Sequence, residues 1–198
     1  TMVLPDDDKY STTRNQLLDQ LAYSLGGRAA EELIFHDPST GASNDIEKAT
    51  ALARAMVTQY GMTEAIGAIK LGTDSSEPFM GRDYGHQRDY SESVASTVDA
   101  EIRKLIDKAH QEAYDILEAN RSILDEMVLE LLEKETLNKE EIAEIFAKVK
   151  SWPNRPAWTG SATRIPSTQP PVDIPERVAP TTDAPRKTRR VKKATSSD

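Results

Sequence analysis

The sequence predicts a mainly α-helical bundle with a minor β element at the N-terminus and a disordered C-terminal tail. Apolar residues recur at helical spacing through most of the chain up to residue 150, and capping residues precede several of these stretches. Eight of the 11 prolines follow Ser151. We therefore divide the chain into a folded part, residues 1–150, and a Pro-rich basic tail, residues 151–198.

The first predicted elements are a short strand and a helix. Residues 1–4 have the composition of the end of a strand, and because the chain opens at Thr1 without an initiator Met we expect it to be a fragment. The helix is predicted from Arg14 to Ile34, with Ser11 or Thr12 as N-cap. It contains Gly26-Gly27, and two glycines inside a helix predict close approach by a neighbouring element.

A second helix is predicted after a loop at residues 36–43. Asn44 is its predicted N-cap, and Glu47 completes a capping box. Gly61 fits the position just beyond its C-terminal end. Residues 62–90 are rich in Gly, Asp and Ser, and we interpret them as loops with one short strand.

Three further helices are predicted in the second half of the chain. A long one begins at Ser91 and breaks at residues 120–122, where the next one starts. The last has the clearest start signal, because Asn138 can cap it while Glu141 reaches back to the cap. Their apolar stripes are expected to form core first and an interface second.

Charge and composition exclude several kinds of function. The net charge is −8, with 16 basic and 29 acidic side chains in residues 1–150 but nine and four in the tail. An acidic folded part argues against nucleic-acid binding. The absence of Cys excludes disulfides and thiolate metal sites, and no apolar run is long enough to span a membrane.

Few residues indicate catalysis by themselves. The sequence has no Gly-rich phosphate loop and no Gly-x-Ser-x-Gly motif. Its three histidines, His36, His86 and His110, are far apart, and none is paired at i, i+4 as a helical zinc site requires. We interpret all three as solvated side chains.

Two acidic positions have more than one interpretation. Asp45 stands in the first turn of the second helix, where free amides favour an ionised carboxylate of the kind that zinc binds. Acidic residues are also common at helix starts for reasons of the helix dipole alone. Glu31 and Glu32, late in the first helix, equally fit simple solvated positions.

A series of short blocks occurs in order along residues 1–148 and resembles the FtsH family of membrane-anchored AAA+ zinc proteases. The joint occurrence of these blocks is specific, although each alone is weak. The blocks are Gly26-Gly27-Arg28-Ala29-Ala30-Glu31-Glu32-Leu33, Thr40-Gly41-Ala42-Ser43-Asn44-Asp45, Ala49-Thr50, Ala53-Arg54-Ala55-Met56-Val57, Tyr60-Gly61-Met62, Phe79-Met80-Gly81-Arg82, Ser91-Glu92, Asp99-Ala100-Glu101-Ile102, Ala113-Tyr114, Ile116-Leu117 and Leu131-Leu132-Glu133-Lys134-Glu135-Thr136-Leu137.

The resemblance implies roles for two residues. Asp45 corresponds to the third zinc ligand of the family, and Glu31 to a carboxylate that lies near the metal and orients a ligating histidine. The other two ligands belong to a His-Glu-x-x-His helix, whose Glu is the general base. That motif does not occur in the 198 residues, and we expect it upstream of Thr1.

For the intact protein the resemblance implies an ATP-dependent zinc endopeptidase. It implies one Zn²⁺ per subunit, an AAA+ module that uses ATP and Mg²⁺, and a homo-hexamer that degrades unfolded or membrane proteins. The peptidase domain would face the cytoplasm at the cell membrane of a bacterium, with membrane contact through upstream segments. We expect the present chain to be soluble and inactive alone.

Two other interpretations stay open. The chain could be a helical protein-interaction or oligomerisation module, in which Asp45 and Glu31 are exposed and unrelated. If the chain is instead part of a zinc site, both side chains should point into one shared cavity. The basic tail, which includes Arg186 and Lys187, could contact anionic lipid or an acidic partner.

Overall fold

Helix α1 runs from Arg14 to Phe35 in a computed structural model that describes residues 11–72 and 90–169. Thr13 is its N-cap. The Thr13 hydroxyl accepts a hydrogen bond from the amide of Gln16 (3.3 Å), and the Gln16 side chain accepts one from the Thr13 amide (2.9 Å). The predicted caps, Ser11 and Thr12, are therefore wrong, because Thr13 is the residue with Gln three positions later.

Helix α2 spans Ser43–Thr58 and begins differently from the prediction. A 3-10 turn at Thr40–Ala42 leads directly into it, and Ser39 caps this turn by accepting a hydrogen bond from the Gly41 amide (3.2 Å). Ala42 holds the N-cap position of α2 without a side-chain bond. The predicted capping box of Asn44 and Glu47 is wrong, because the turn moves the start of the helix upstream of Asn44.

The segment after α2 turns back on the helix end. Gly61 has a left-handed φ of 60°, and a Cβ added there would lie 2.7 Å from the carbonyl oxygen of Gly67. The Leu71 amide donates to the carbonyl of Thr58 (2.7 Å). Residues 62–72 form turns and coil, so the predicted short strand is not found in this part of residues 62–90; the remainder, like the predicted β element at residues 1–4 and the block at residues 79–82, lies outside the described residues.

The three remaining helices are α3 (Glu92–Ala119), α4 (Arg121–Lys134) and α5 (Lys139–Phe146). Ser91 caps α3, and the predicted break occurs at Asn120. The buried Asn120 side chain donates to the Ile116 carbonyl (2.9 Å) and accepts from the Lys150 amide (2.9 Å). The break is stable because the side chain satisfies backbone groups of two segments.

The capping box of α5 is confirmed as predicted. The Asn138 side chain accepts from the Glu141 amide, and the Glu141 side chain accepts from the Asn138 amide, both at 2.9 Å. Local sequence rules suffice here because both partners lie within one turn.

The core is formed by α1, α2 and α3, each of which packs against the other two. Most predicted apolar positions of these helices are buried. The stripes of α4 and α5 are different: among their apolar residues only Ile123 and Ile145 are fully buried, and Leu132 is 76% exposed. Within the described residues, α4 and α5 pack mainly on each other, which leaves their outer faces uncovered.

The chain divides into two compact units, Thr1–Pro166 and Ser167–Asp198. The first unit contains all five helices and the beginning of the Pro-rich segment. Of the second unit the structure describes residues 167–169, where the Gln169 amide donates to the Ser167 hydroxyl (3.2 Å). The predicted disorder of the tail stays a prediction. None of the helices in the described ranges combines the length and the apolar character that crossing a bilayer requires.

Replacing Leu21 with Ala should destabilise the helical core. The Leu21 side chain is fully buried in the cluster shared by α1, α2 and α3, so its removal leaves a cavity that costs about 2–5 kcal/mol. Denaturant unfolding followed by far-UV circular dichroism measures the loss. The matched control is Leu132→Ala, which should change the free energy of unfolding by less than about 0.5 kcal/mol because Leu132 is exposed.

Replacing Gly27 with Ala should stabilise the chain. Sequence spacing predicted close packing at Gly26-Gly27, yet no described atom lies within 4 Å of a Cβ added at either position. Ala is favoured over Gly in a helix by about 0.5–1 kcal/mol, so thermal unfolding should move upward. Gly61→Ala should move it downward, because the left-handed backbone and the nearby Gly67 carbonyl exclude a Cβ. A lower melting temperature for Gly27→Ala would contradict the finding that there is space for a Cβ at Gly27.

Candidate metal centre

Asp45 lies in the first turn of α2, and its side chain is exposed. Among the contacts of the described residues, its carboxylate has no hydrogen bond and no ion pair. Asp45 is therefore an exposed carboxyl group, without a partner among the described residues, in the first turn of a helix that packs on the core.

Glu31 lies near the C-terminal end of α1 and holds the segment that leads into α2. One carboxylate oxygen, Oε2, accepts from the Ser39 amide (2.9 Å), and Oε1 accepts from the Ser39 hydroxyl (2.6 Å). A Cβ added to Gly41 would lie 3.8 Å from Glu31 Oε1, which shows how closely the 3-10 turn approaches the carboxylate. Glu31 thus fixes the start of the helix that carries Asp45.

These contacts keep Glu31 ionised. The hydrogen bond from the Ser39 hydroxyl has the largest effect on its pKa, followed by the bond from the Ser39 amide, and the two lower the pKa of Glu31 below its ordinary value. The nearby Arg28 guanidinium adds to this effect, whereas partial burial opposes it.

The two predicted site residues are connected but do not form a complete metal site. Ser39 and the 3-10 turn link Glu31 to the start of α2, but Asp45 is exposed, and neither side chain lines the cavity of about 710 Å³ found among the described residues. In residues 11–72 and 90–169, no group of three His, Asp or Glu side chains is placed to hold a metal ion. The described residues fit one ligand, Asp45, and one supporting carboxylate, and the remaining ligands would have to come from elsewhere.

The histidines occupy different surroundings. His36 is exposed at the end of α1, as predicted, and His86 lies outside the described residues. His110 on α3 is not simply solvated: its Nε2 atom is buried and lies 3.1 Å from Oε2 of Glu32, without the geometry of a hydrogen bond.

Sequence reasoning missed a charge cluster that joins α1 to α3. Arg28 pairs with Glu32 (Nε to Oε1, 2.6 Å), and Glu32 in turn contacts His110. The i, i+4 spacing of Arg28 and Glu32 was the available signal, whereas His110 could not be assigned because it lies on another helix. The cluster holds α1 against α3 one residue from Glu31.

A sequence model of peptidase family M41 matches residues 1–145. The ATP-dependent zinc metalloprotease FtsH of Cutibacterium acnes is 58% identical over 185 residues, which cover 93% of this chain and 26% of that protein. The protein of the same name from Mycobacterium tuberculosis is 47% identical over 178 residues, or 90% of this chain and 23% of that protein. ATP-dependent zinc metalloprotease FtsH 1 of a Thermoanaerobacter species is 47% identical over 146 residues, or 74% of this chain and 24% of that protein.

The extent of these matches has two consequences. The chain spans about a quarter of the length of the curated relatives that it matches. Alignments of 185 and 178 residues also cannot fit within residues 1–145, so they continue into the segment beyond the residues that the family model matches.

Replacing Ser39 with Ala should raise the pKa of Glu31. The folded-state pKa is lowered, so the Glu31–Ser39 contact contributes to stability above the ordinary pKa of the carboxyl group and is lost as the pH falls through the folded-state pKa. A titration of the side-chain carboxyl by ¹³C NMR should show Glu31 moving toward its ordinary value in the variant. Ser43→Ala is the control, and an unchanged Glu31 titration in Ser39→Ala would contradict the assigned contact.

Proposed function

The chain belongs to peptidase family M41, and we propose that it is the C-terminal part of the peptidase domain of a longer, ATP-dependent zinc metalloendopeptidase. The observation that supports this role is the free, exposed carboxylate of Asp45 on a helix whose start is fixed by Glu31. The three relatives described above are all named ATP-dependent zinc metalloproteases, which supports the proposed reaction.

In this proposal Asp45 is a zinc ligand. Its carboxyl group has no hydrogen bond or ion pair among the described residues, so no such contact must be broken before it binds a metal. The rigid attachment of α2 to the core through Ala49, Ala53 and Met56 limits the movement of the carboxylate. When bound, zinc lowers the pKa of a coordinated water and polarises the peptide carbonyl.

Glu31 has two tasks in this proposal. It orients a ligating histidine from another part of the protein, as the family resemblance implies, and it anchors Ser39 so that Asp45 is correctly placed. Each carboxylate oxygen accepts one hydrogen bond from Ser39 and retains a lone pair for a second donor. The two tasks are therefore compatible.

The remaining parts of the enzyme are proposed to lie outside this chain. They are the two histidine ligands and the general base of a His-Glu-x-x-His helix, and an AAA+ module that uses ATP and Mg²⁺. We propose a homo-hexamer at a bacterial cell membrane, with the peptidase domain facing the cytoplasm and unfolded or membrane proteins as substrates. Alone, the 198-residue chain would be inactive.

A second candidate function is that of a helical interaction or oligomerisation module. The observation that favours it is the uncovered apolar surface of α4 and α5, where Leu129, Leu132 and Phe146 are at least half exposed. Such a surface is typical of a protein contact. The two functions are distinguished by zinc binding, since a pure interaction module has no use for Asp45.

Replacing Asp45 with Ala should weaken zinc binding by a form of the protein extended upstream to include a His-Glu-x-x-His helix. We expect the extended form to bind one Zn²⁺ tightly, and Asp45→Ala to lower the zinc affinity by at least about tenfold. Loss of a residue that only supports a metal ligand already lowers metal affinity by about that factor. Isothermal titration calorimetry measures both values. The 198-residue chain should bind zinc weakly with or without Asp45.

Glu47→Ala is the matched control, because Glu47 is an exposed acidic residue in the same turn region of α2. Equal zinc affinity of the extended protein with and without Asp45 would show that Asp45 is only a helix-end carboxylate. An extended protein that binds no zinc at all would contradict the proposed function itself.

A further inference from the structure

The segment at residues 152–158 crosses back over the first and third helices, although it follows α5 in the chain. Arg155 is its main contact. One guanidinium nitrogen, Nη1, lies 2.6 Å from Asp19 Oδ1 and donates to the Asn15 carbonyl (3.3 Å), while Nη2 lies 2.6 Å from Glu112 Oε1. A single side chain thus joins this segment to both α1 and α3.

Trp158 supplies a second contact at the end of the segment. The Arg14 guanidinium lies over its ring, 4.7 Å from the ring centroid, and Arg14 also donates to the Met62 carbonyl (3.1 Å). Burial lowers the pKa of Arg14, and the nearby positive charge of Arg155 lowers it further. Because the two guanidinium groups repel, the segment depends on the carboxylates of Asp19 and Glu112 to stay in place.

Partial apolar burial adds to this attachment, because more than half of the surface of each Trp in the segment is covered. None of residues 151–169 is fully buried, and Trp152 and Trp158 are 40% and 36% exposed. A cavity of about 710 Å³ lies between the segment and the helices, lined in part by Leu105, Ala109 and Pro153. The segment packs on the surface of the helices and contributes no residue to the core cluster that they share.

We propose that residues 152–158 form a releasable strap that Arg155 latches onto α1 and α3 and that opens while the helices remain folded. Charge pairs that are partly open to solvent are weak and are screened by salt, whereas the α1–α3 core depends on apolar burial. The two attachments therefore respond differently to salt and to substitution of Arg155.

Release of the strap frees the chain that follows Lys150 within the first compact unit. The Lys150 amide stays bound to Asn120, so the freed part begins at residue 151. When fully extended, residues 151–166 span at most roughly 55 Å, at up to about 3.4 Å per residue.

Intrinsic fluorescence reports on the strap alone, because the two Trp residues of the chain, Trp152 and Trp158, both lie in it. We would measure acrylamide quenching of Trp fluorescence together with far-UV circular dichroism for the 198-residue chain. Arg155→Ala should raise the quenching constant about twofold, since release takes side chains that are 40% and 36% exposed to full exposure, and should leave the helix signal and its melting temperature unchanged. Glu112→Gln should act in the same direction with a smaller effect.

Salt provides a test without substitution. Raising the salt concentration to about 1 M, where the screening length is about 3 Å, should increase Trp quenching in the unsubstituted chain but not in Arg155→Ala. Arg164→Ala is the matched control, because the described contacts of Arg164 lie within its own turn, to Thr159 and Ser161.

Three results would overturn the proposal. One is unchanged quenching in both Arg155→Ala and Glu112→Gln. Another is an equal effect of Arg164→Ala. The third is a fall in the helix melting temperature that accompanies the rise in quenching, because the segment would then unfold together with the core and not as a separate strap.

Discussion

The mutual packing of α1, α2 and α3 is the constraint on which the rest of the structure depends. Leu21, Met56 and Val98 are each fully buried where the three helices meet. With α1 fixed in this way, Glu31 near its end is fixed as well, and its two hydrogen bonds to Ser39 determine where α2 starts. The apolar packing of Leu21, more than two helical turns before Glu31, therefore influences the position of Asp45 through the Glu31 carboxylate.

Local rules were sufficient for much of the fold. The capping box of Asn138 and Glu141 and the break at Asn120 depend on residues close in sequence, and both were predicted correctly. The long helix that was predicted to begin at Ser91 begins at Glu92, with Ser91 as its cap. The start of α2 was not, because the 3-10 turn and the bond from Ser39 to Glu31 alter the local preference for Asn44. Apolar spacing identified the stripes of α4 and α5 but could not show that they stay largely uncovered.

The polar contacts between distant segments had no signal in the sequence. Arg155 pairs with Asp19, 136 residues earlier, and His110 meets Glu32 on another helix. In a chain with 25 basic and 33 acidic side chains, many pairings are equally compatible with the sequence. The candidate metal site has the same difficulty, since an acidic residue in the first turn of a helix is common, and Asp45 was assigned through the resemblance of the blocks around it.

We propose above all that this chain contributes Asp45 to a zinc site completed by another part of a longer protein. The most direct measurement is X-ray diffraction from crystals of the longer protein with zinc, using anomalous scattering at the zinc edge. The claim predicts an anomalous peak with a carboxylate oxygen of Asp45 about 2.0–2.2 Å away. A zinc ion with a complete set of ligands that does not include Asp45 would contradict it.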